Sequence, residues 1–213
     1  MSVAETNFDR IARRRVDKFA ERRDQLAEAA LHTLSELGYA RTSLREIAQN
    51  SEFSHGVLHY YFRDKVDLIT HCVRFYKARC VTRYDDVVAT AQTPSDLEDG
   101  FGAAMSATLR EEATMHRLWY DLRAQSMFEE SFRDDVADIN ASLENMIWRI
   151  VTRYAEILEV QPVLSSRVTY AMFDGVFQHS LLEFLSGRTE AADDLVEDVK
   201  DVLRAALPGA ATT

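Results

Sequence analysis

Leu26, Ala29, Ala30, Thr33, Leu34 and Leu37 recur at intervals of three and four, and the run stops at Gly38. Such a stripe is one face of an amphipathic helix, and a glycine just past its end can take the left-handed conformation that closes it. The same spacing returns along most of the chain in stretches too long for strands. Breakers are few, with 3 Pro and 7 Gly in 213 residues, so the turn chemistry that hairpins and sandwiches require is missing. The chain is predicted to be all-α.

Helix signals divide it further. Ser43 and Glu46 have the S-x-x-E spacing of a capping box, with Leu44, Ile47 and Ala48 as the apolar face behind it. That helix stops near Ser51-Glu52-Phe53, and Ser54 caps a third short helix reaching about Tyr61. A long pattern then runs from Lys65 or Asp67 to about Ala91. Thr93-Pro94-Ser95 breaks it, and Ser95 with Glu98 makes a second box for a helix over 95–110. Further helices are predicted at 114–127, 132–158, 162–186 and 190–206, with Pro162 in a first turn and Pro208-Gly209 as the final stop. The organisation read from this is a basic N-terminal arm (1–20), a three-helix domain (21–66) and a second, C-terminal helical domain (67–213).

Charge separates the same regions. Residues 1–83 hold 15 Lys/Arg against 11 Asp/Glu, whereas residues 84–213 hold 10 against 24. A basic first third and an acidic remainder suit a polyanion at one end and water elsewhere. No apolar stretch approaches the ~18–20 residues that span a bilayer, and the N-terminus lacks the apolar core of a secretory signal. A cytoplasmic protein with no membrane partner is expected. Cys72 and Cys80 lie eight apart on one helical stretch, too far to bridge within the chain at about 1.5 Å per residue. They read as two half-buried thiols, with redox sensing as the sharper alternative.

Two short helices about a turn of roughly three residues, Glu52-Phe53-Ser54, make a helix-turn-helix. Leu44, Ile47, Ala48, Phe53, Val57, Leu58 and Phe62 would lock it. His55, Gly56, His59 and Tyr60 would then face outward, with the hydrogen-bonding groups a major groove can receive. In register, Thr42, Ser43, Ile47, Ala48, Ser54, Gly56, Leu58, Tyr61, Phe62, Asp64, Lys65 and Leu68 resemble the signature of the TetR family of transcription regulators over about residues 20–70. Two positions depart from it: the turn is Ser51-Glu52-Phe53 where the family has A-G-V, and His59 stands where it has tyrosine. The resemblance implies a helix-turn-helix reading head ahead of an effector-binding and dimerisation domain. It implies phosphate contacts from Thr42, Ser43 and Tyr61, and a backbone clamp at Lys65. Arg45 could pair with a guanine edge, while Ser54, His55, Gly56, His59 and Tyr60 complete the DNA-binding set. Arg13, Arg14 and Arg15 have two readings, a solvated helix extension or an arm reaching the minor groove.

In the second domain the aromatics and methionines cluster. Met115, Trp119, Tyr120, Arg123, Met127, Trp148, Phe173 and Phe177 are the candidate effector-binding residues, since a small-molecule cavity is lined by such types. His116, Gln125, Asn140, Asn145, Asp174, Gln178 and His179 are the polar groups that could orient a ligand. No spacing suits a metal, no cofactor is expected, and no nucleophile–base arrangement is present. By resemblance the last two helices form a homodimer interface, with Val168, Ala171, Met172, Gly175, Val176, Leu182 and Leu185 as one stripe and Leu195, Val199, Val202 and Leu203 as another. A two-fold dimer would read a palindromic double-stranded DNA operator. The expectation is a sequence-specific repressor released by a small-molecule effector. The rival readings are a helical small-molecule binding protein whose DNA recognition has degenerated, and a small all-α enzyme, against which the missing acid–base constellation argues.

Overall fold

A computed structural model describes residues 7–207, with the backbone alone for 7–15. The described residues form α-helices and one short 3-10 turn, with no strand among them. The first helix, α1 (Asn7–Arg41), is followed by α2 (Leu44–Gln49), α3 (His55–Tyr61), α4 (Lys65–Cys80) and α5 (Asp85–Thr90). Then come α6 (Pro94–Gln125), α7 (Arg133–Ile157), α8 (Ser166–Leu185) and α9 (Ala191–Ala205). One core runs through head and body, from Leu26 and Leu34 through Leu68, Leu97, Leu118 and Ile150 to Leu203. None of the described helices is long and apolar enough to cross a membrane.

The helix expected from about Glu21 begins at Asn7 instead. Its early residues, NFDRIARRRVDKFA, contain no glycine or proline to stop it, and their end is anchored by Phe19 against Tyr61, centroids 4.8 Å apart. Gly38 does close the apolar run, at φ +73. A Cβ there would also lie 3.1 Å from Asp121 Oδ2, so the position favours glycine twice over.

The long helix expected over 65–91 is two helices. Between them, Arg83 N–H donates to the Cys80 carbonyl at 3.0 Å and Asp85 N–H to that of Thr82 at 3.1 Å. Side chains hold this turn: the Arg83 guanidinium reaches Glu112 at 2.5 Å, and Tyr84 is buried on Phe101.

The helices expected at 95–110 and 114–127 are one, α6, irregular at Glu112 (φ −128, ψ 23). Its cap lies two residues ahead of the expected one. Thr93 accepts from Asp96 N–H at 3.1 Å, Asp96 accepts from Thr93 N–H at 2.9 Å, and Pro94 opens the helix. Glu98 instead turns inward, accepting from Tyr154 and from Arg204 at 2.7 Å. Pro162 likewise stands outside α8, which Ser165 caps.

The last two helices divide their roles. The apolar stripe of α9 is spent inside the chain's own core, with Leu195, Val199, Val202 and Leu203 all buried. Helix α6 approaches so closely that a Cβ on Gly102 would come within 2.9 Å of Val196 Cγ1 and 3.2 Å of its carbonyl oxygen. Arg110–Asp193 at 2.6 Å and Lys200–Asp99 at 2.9 Å border the same contact. Helix α8 buries Phe173, Phe177 and Leu181 but leaves Val168, Leu182 and Leu185 exposed on the opposite side.

Candidate DNA interface and ligand cavity

The two short helices of the head are started by serine. Ser43 accepts from Glu46 N–H at 3.2 Å and Ser54 from Val57 N–H at 3.3 Å. Below them Leu44, Ile47, Leu58 and Phe62 are buried with Leu26, Leu34 and Leu68. Apolar residues at this spacing fix the angle between α2 and α3 and leave their other faces free. The turn closes without the glycine of the resembled pattern: Phe53 N–H donates to Ser51 Oγ at 3.3 Å, and no residue of Ser51–Phe53 takes a positive φ. Arg22 lies over the Phe53 ring, 4.8 Å from its centroid.

Arg45, Ser54, His55, Gly56, His59 and Tyr60 are all exposed, and Tyr60 is 74% so. They lie on α2, on α3 and at the cap between them. His55 and His59 stand one turn apart on α3 with their Nε2 atoms 3.2 Å apart. Tyr60 and Tyr61 pack edge to face at 4.9 Å beside Phe19. This aromatic group ties the first helix to α3, and no periodicity along the chain signals it. The backbone of Arg13, Arg14 and Arg15 belongs to α1, while their side chains lie outside the described residues.

Two expected phosphate contacts sit differently. Thr42 is 2% exposed, and its hydroxyl donates to the Gly38 carbonyl at 2.7 Å. It therefore locks the bend between α1 and α2 and presents no side chain to a phosphate. Lys65 is half-buried, its ammonium 4.0 Å from the Tyr39 ring centroid. Burial lowers its pKa, against the pull of Glu46 and Asp121. Ser43 and Tyr61 are half-exposed beside the open face.

Inside the body lies a cavity of about 60 Å³. It is walled by aromatics and methionines on α6, α7 and α8, among them Trp119, Tyr120, Met146, Tyr170, Phe173 and Phe177. Four of the expected effector residues, Trp119, Tyr120, Phe173 and Phe177, are here together. Arg123 stands just behind them, 2.5 Å from Asp174, which itself lines the cavity. The other three are elsewhere. Met127 is 70% exposed past the end of α6, and Met115 and Trp148 are half-buried on other faces of their helices. A stripe cannot tell which side of a helix meets a void and which meets a neighbour.

The cavity's polar groups are Lys77, Tyr84, His116, Tyr120, Tyr170 and Asp174. Tyr120 donates to Asp174 at 3.1 Å, and Tyr170 to Asn140 at 3.2 Å. Burial, with the Asp174 carboxylate, pushes both phenols far up and keeps them protonated. Burial lowers the Lys77 ammonium to about 8 and holds His116 well below the usual imidazole range. Lys77 is absent from the residues expected at this site. A signal for it exists in the chain: Ile69, Val73 and Lys77 follow one another at four-residue steps on the buried side of α4.

Helix α6 joins cavity to head. His116, Trp119 and Tyr120 face the cavity. Between them, Arg117 donates to the Ser35 carbonyl and, at 3.4 Å, to that of Glu36. One turn on, Asp121 accepts the Tyr39 N–H at 2.7 Å. The same two turns thus wall the cavity and grip the end of α1, where Tyr39 in turn carries Lys65.

Residues 26–72 match the family model described as bacterial regulatory proteins, tetR family. The chain is 23% identical to the HTH-type transcriptional regulator PksA of Bacillus subtilis over 164 residues, 76% of this chain and 80% of the relative. It is 27% identical to the regulator BetI of Burkholderia thailandensis over 195 residues, 86% of this chain and 94% of that one. Among solved structures it resembles a TetR transcription regulator from Haloarcula marismortui, with a TM-score of 0.71 at 16% identity, covering 88% of this chain and 98% of the other. It also resembles the regulator FadR of Bacillus subtilis in complex with stearoyl-CoA, with a TM-score of 0.62 at 21% identity over 87% and 97% of the two chains.

Proposed function

We infer that this chain, whose residues 26–72 match the tetR-family model, is a sequence-specific DNA-binding transcription regulator. It acts as a homodimeric repressor, released from a palindromic operator by a small molecule held in the body. The observation that carries this reading is the junction on α6. Two turns wall the cavity through Trp119 and Tyr120 and hold the end of α1 through Arg117 and Asp121.

On DNA, α3 enters the major groove with His55, His59 and Tyr60 at base edges, and Gly56 lets the backbone come near. Arg45 reads a guanine from α2, and Ser43 and Tyr61 meet phosphates, which position the head while base contacts specify the sequence. Arg13, Arg14 and Arg15 extend the contact along the flanking phosphates. The exposed stripe of α8, Val168, Leu182 and Leu185, pairs with its copy across a two-fold axis. The burial of the α9 stripe inside the protomer makes α8 the principal apolar contributor. An acidic body keeps the wrong face off DNA through like-charge repulsion, and the cytoplasm is the matching compartment.

At about 60 Å³ the cavity is well below the roughly 300 Å³ of a usual small-molecule site. A ligand must therefore spread α4, α6, α7 and α8, and that strain reaches Tyr39 and Lys65 through α6. A ligand that favours the spread state lowers operator affinity, and the operator lowers ligand affinity by the same factor.

The test is binding of the purified protein to the DNA upstream of its own gene, at two salt concentrations, against an unrelated duplex. Salt-sensitive binding that resists the competitor supports the reading. Binding equal to the competitor's refutes sequence-specific regulation at that site and favours a ligand-binding protein with a degenerate head.

A further inference from the structure

The reading of the body as an effector site leaves the effector's chemistry open, and the inference that follows rests on that reading. Lys77 is 3% exposed and lines two hollows, with no salt bridge or hydrogen bond to its ammonium among the described residues. Its ammonium stands near the ring faces of Trp119 at 5.3 Å and Tyr76 at 5.4 Å from the centroids, within the fields of Cys80, Arg83, Glu112 and Asp174. The other charges around the cavity are already matched: Arg123 holds Asp174, and Arg83 holds Glu112. One positive charge on the cavity wall is therefore left without a salt bridge. On the same wall, His116 is buried with its Nε2 lacking any partner in the described structure. Its ring is held between Phe177 at 4.7 Å and Tyr76 at 6.2 Å.

Buried polar groups are nearly always satisfied, and a buried charge without a partner costs more than a neutral group does. An ammonium without a salt bridge and an imidazole nitrogen without a partner, on one cavity, are both met by one anionic acceptor with two oxygens. We propose that the effector is a small organic acid. Its one carboxylate is received by Lys77 Nζ and His116 Nε2, and its apolar body lies against Trp119, Met146, Phe173 and Phe177. The carboxylate accepts from the ammonium and from the Nε2–H tautomer of a neutral His116. Asp174 is on the far side of the demand, since Tyr120 and Arg123 already donate to it.

Lys77 also borders a second hollow that opens between α4 and α7, lined by Arg74, Ala78, Val81, Asp138, Ile139 and Ser142. Arg74 there is already paired with Asp135 and, at 3.3 Å, with Asp138, which leaves Lys77 as the cation of that hollow without a salt bridge.

Three probes of one shape separate the possibilities by calorimetry at pH 7: 3-phenylpropanoate, 3-phenylpropanamide and 3-phenylpropylamine. The acid is expected to bind about ten-fold to a hundred-fold more tightly than the amide, the usual worth of a charged hydrogen bond, and the amine most weakly. In Lys77→Met the acid should fall to the affinity of the amide, while the amide is unchanged and so certifies a folded cavity. His116→Phe should lower acid binding by a smaller factor. Equal affinities for acid and amide, preference for the amine, or acid binding untouched by Lys77→Met would overturn the acid proposal while leaving the cavity as a ligand site. Failure of all three probes at millimolar concentration would overturn the reading of the cavity as a small-molecule site, and the acid with it.

Discussion

Burial dominates the titration of Lys77. Its ammonium is pushed down to about 8 from the usual 10.5, first by burial and then by Arg83, with Cys80, Glu112 and Asp174 pulling the other way. A lysine whose pKa is lower folded than unfolded binds fewer protons in the native state. Between about pH 8 and 10.5 stability should therefore rise with pH on its account. The buried phenols of Tyr84, Tyr120 and Tyr170, shifted upward, act oppositely above pH 10. The contrast with Lys77→Met isolates the lysine. By urea unfolding, the unaltered protein should gain a few kcal/mol of stability relative to Lys77→Met as pH rises through that window. A constant difference would show that the ammonium is solvated. At the reading face, Arg45→Ala is expected to cost about 1–3 kcal/mol of operator affinity and to relax discrimination at one base position. A uniform loss over all duplexes would make Arg45 a phosphate contact instead.

Helix packing carries predictions of a different size. Gly102 sits where α6 meets α9, and a methyl there would press on Val196 side chain and backbone together. Gly102→Ala should destabilise by about 1–3 kcal/mol, as overpacking does, read as a lower Tm; an unchanged Tm would mean that the helices part freely. The head is legible in the sequence for a physical reason. Ser43, Ser54, Ile47, Leu58 and Phe62 do local work at fixed spacing, capping two short helices and packing them on each other. Legibility falls where local signals compete. Thr93-Pro94-Ser95 offers two hydroxyl caps, and the one that wins is the threonine, because Glu98 is drawn inward by Arg204 and Tyr154. The break after Cys80 depends on Arg83 reaching Glu112, 29 residues away in sequence, which no short window of the chain contains. Composition draws Met127 and Trp148 into an expected pocket, while Lys77 escapes it because a charged residue reads as a surface residue.

At the scale of the whole molecule, the proposed dimer and the proposed coupling of head to cavity can each be tested. If Arg13, Arg14 and Arg15 lie along flanking phosphates, replacing all three with alanine should flatten the log–log salt dependence of operator binding by about 0.9 for each arginine that meets a phosphate. An unchanged slope would leave them as a solvated stretch of α1. Leu182→Arg on the exposed side of α8 should convert a dimer to monomers in sedimentation and abolish tight operator binding, while the fold survives because Leu182 is 60% exposed. A Leu182→Arg protein that stays dimeric would place the two-fold contact elsewhere. Head and cavity are one device joined through α6 in this proposal, and Trp119 reports on it from the cavity wall. In a Trp148→Phe background, where Trp119 is the only tryptophan of the original 2, its emission and acrylamide quenching can be followed while operator or unrelated duplex is added. Saturating operator is expected to shift both signals, and the unrelated duplex to shift neither. Operator bound to saturation with Trp119 unmoved would mean that the reading head and the cavity do not communicate.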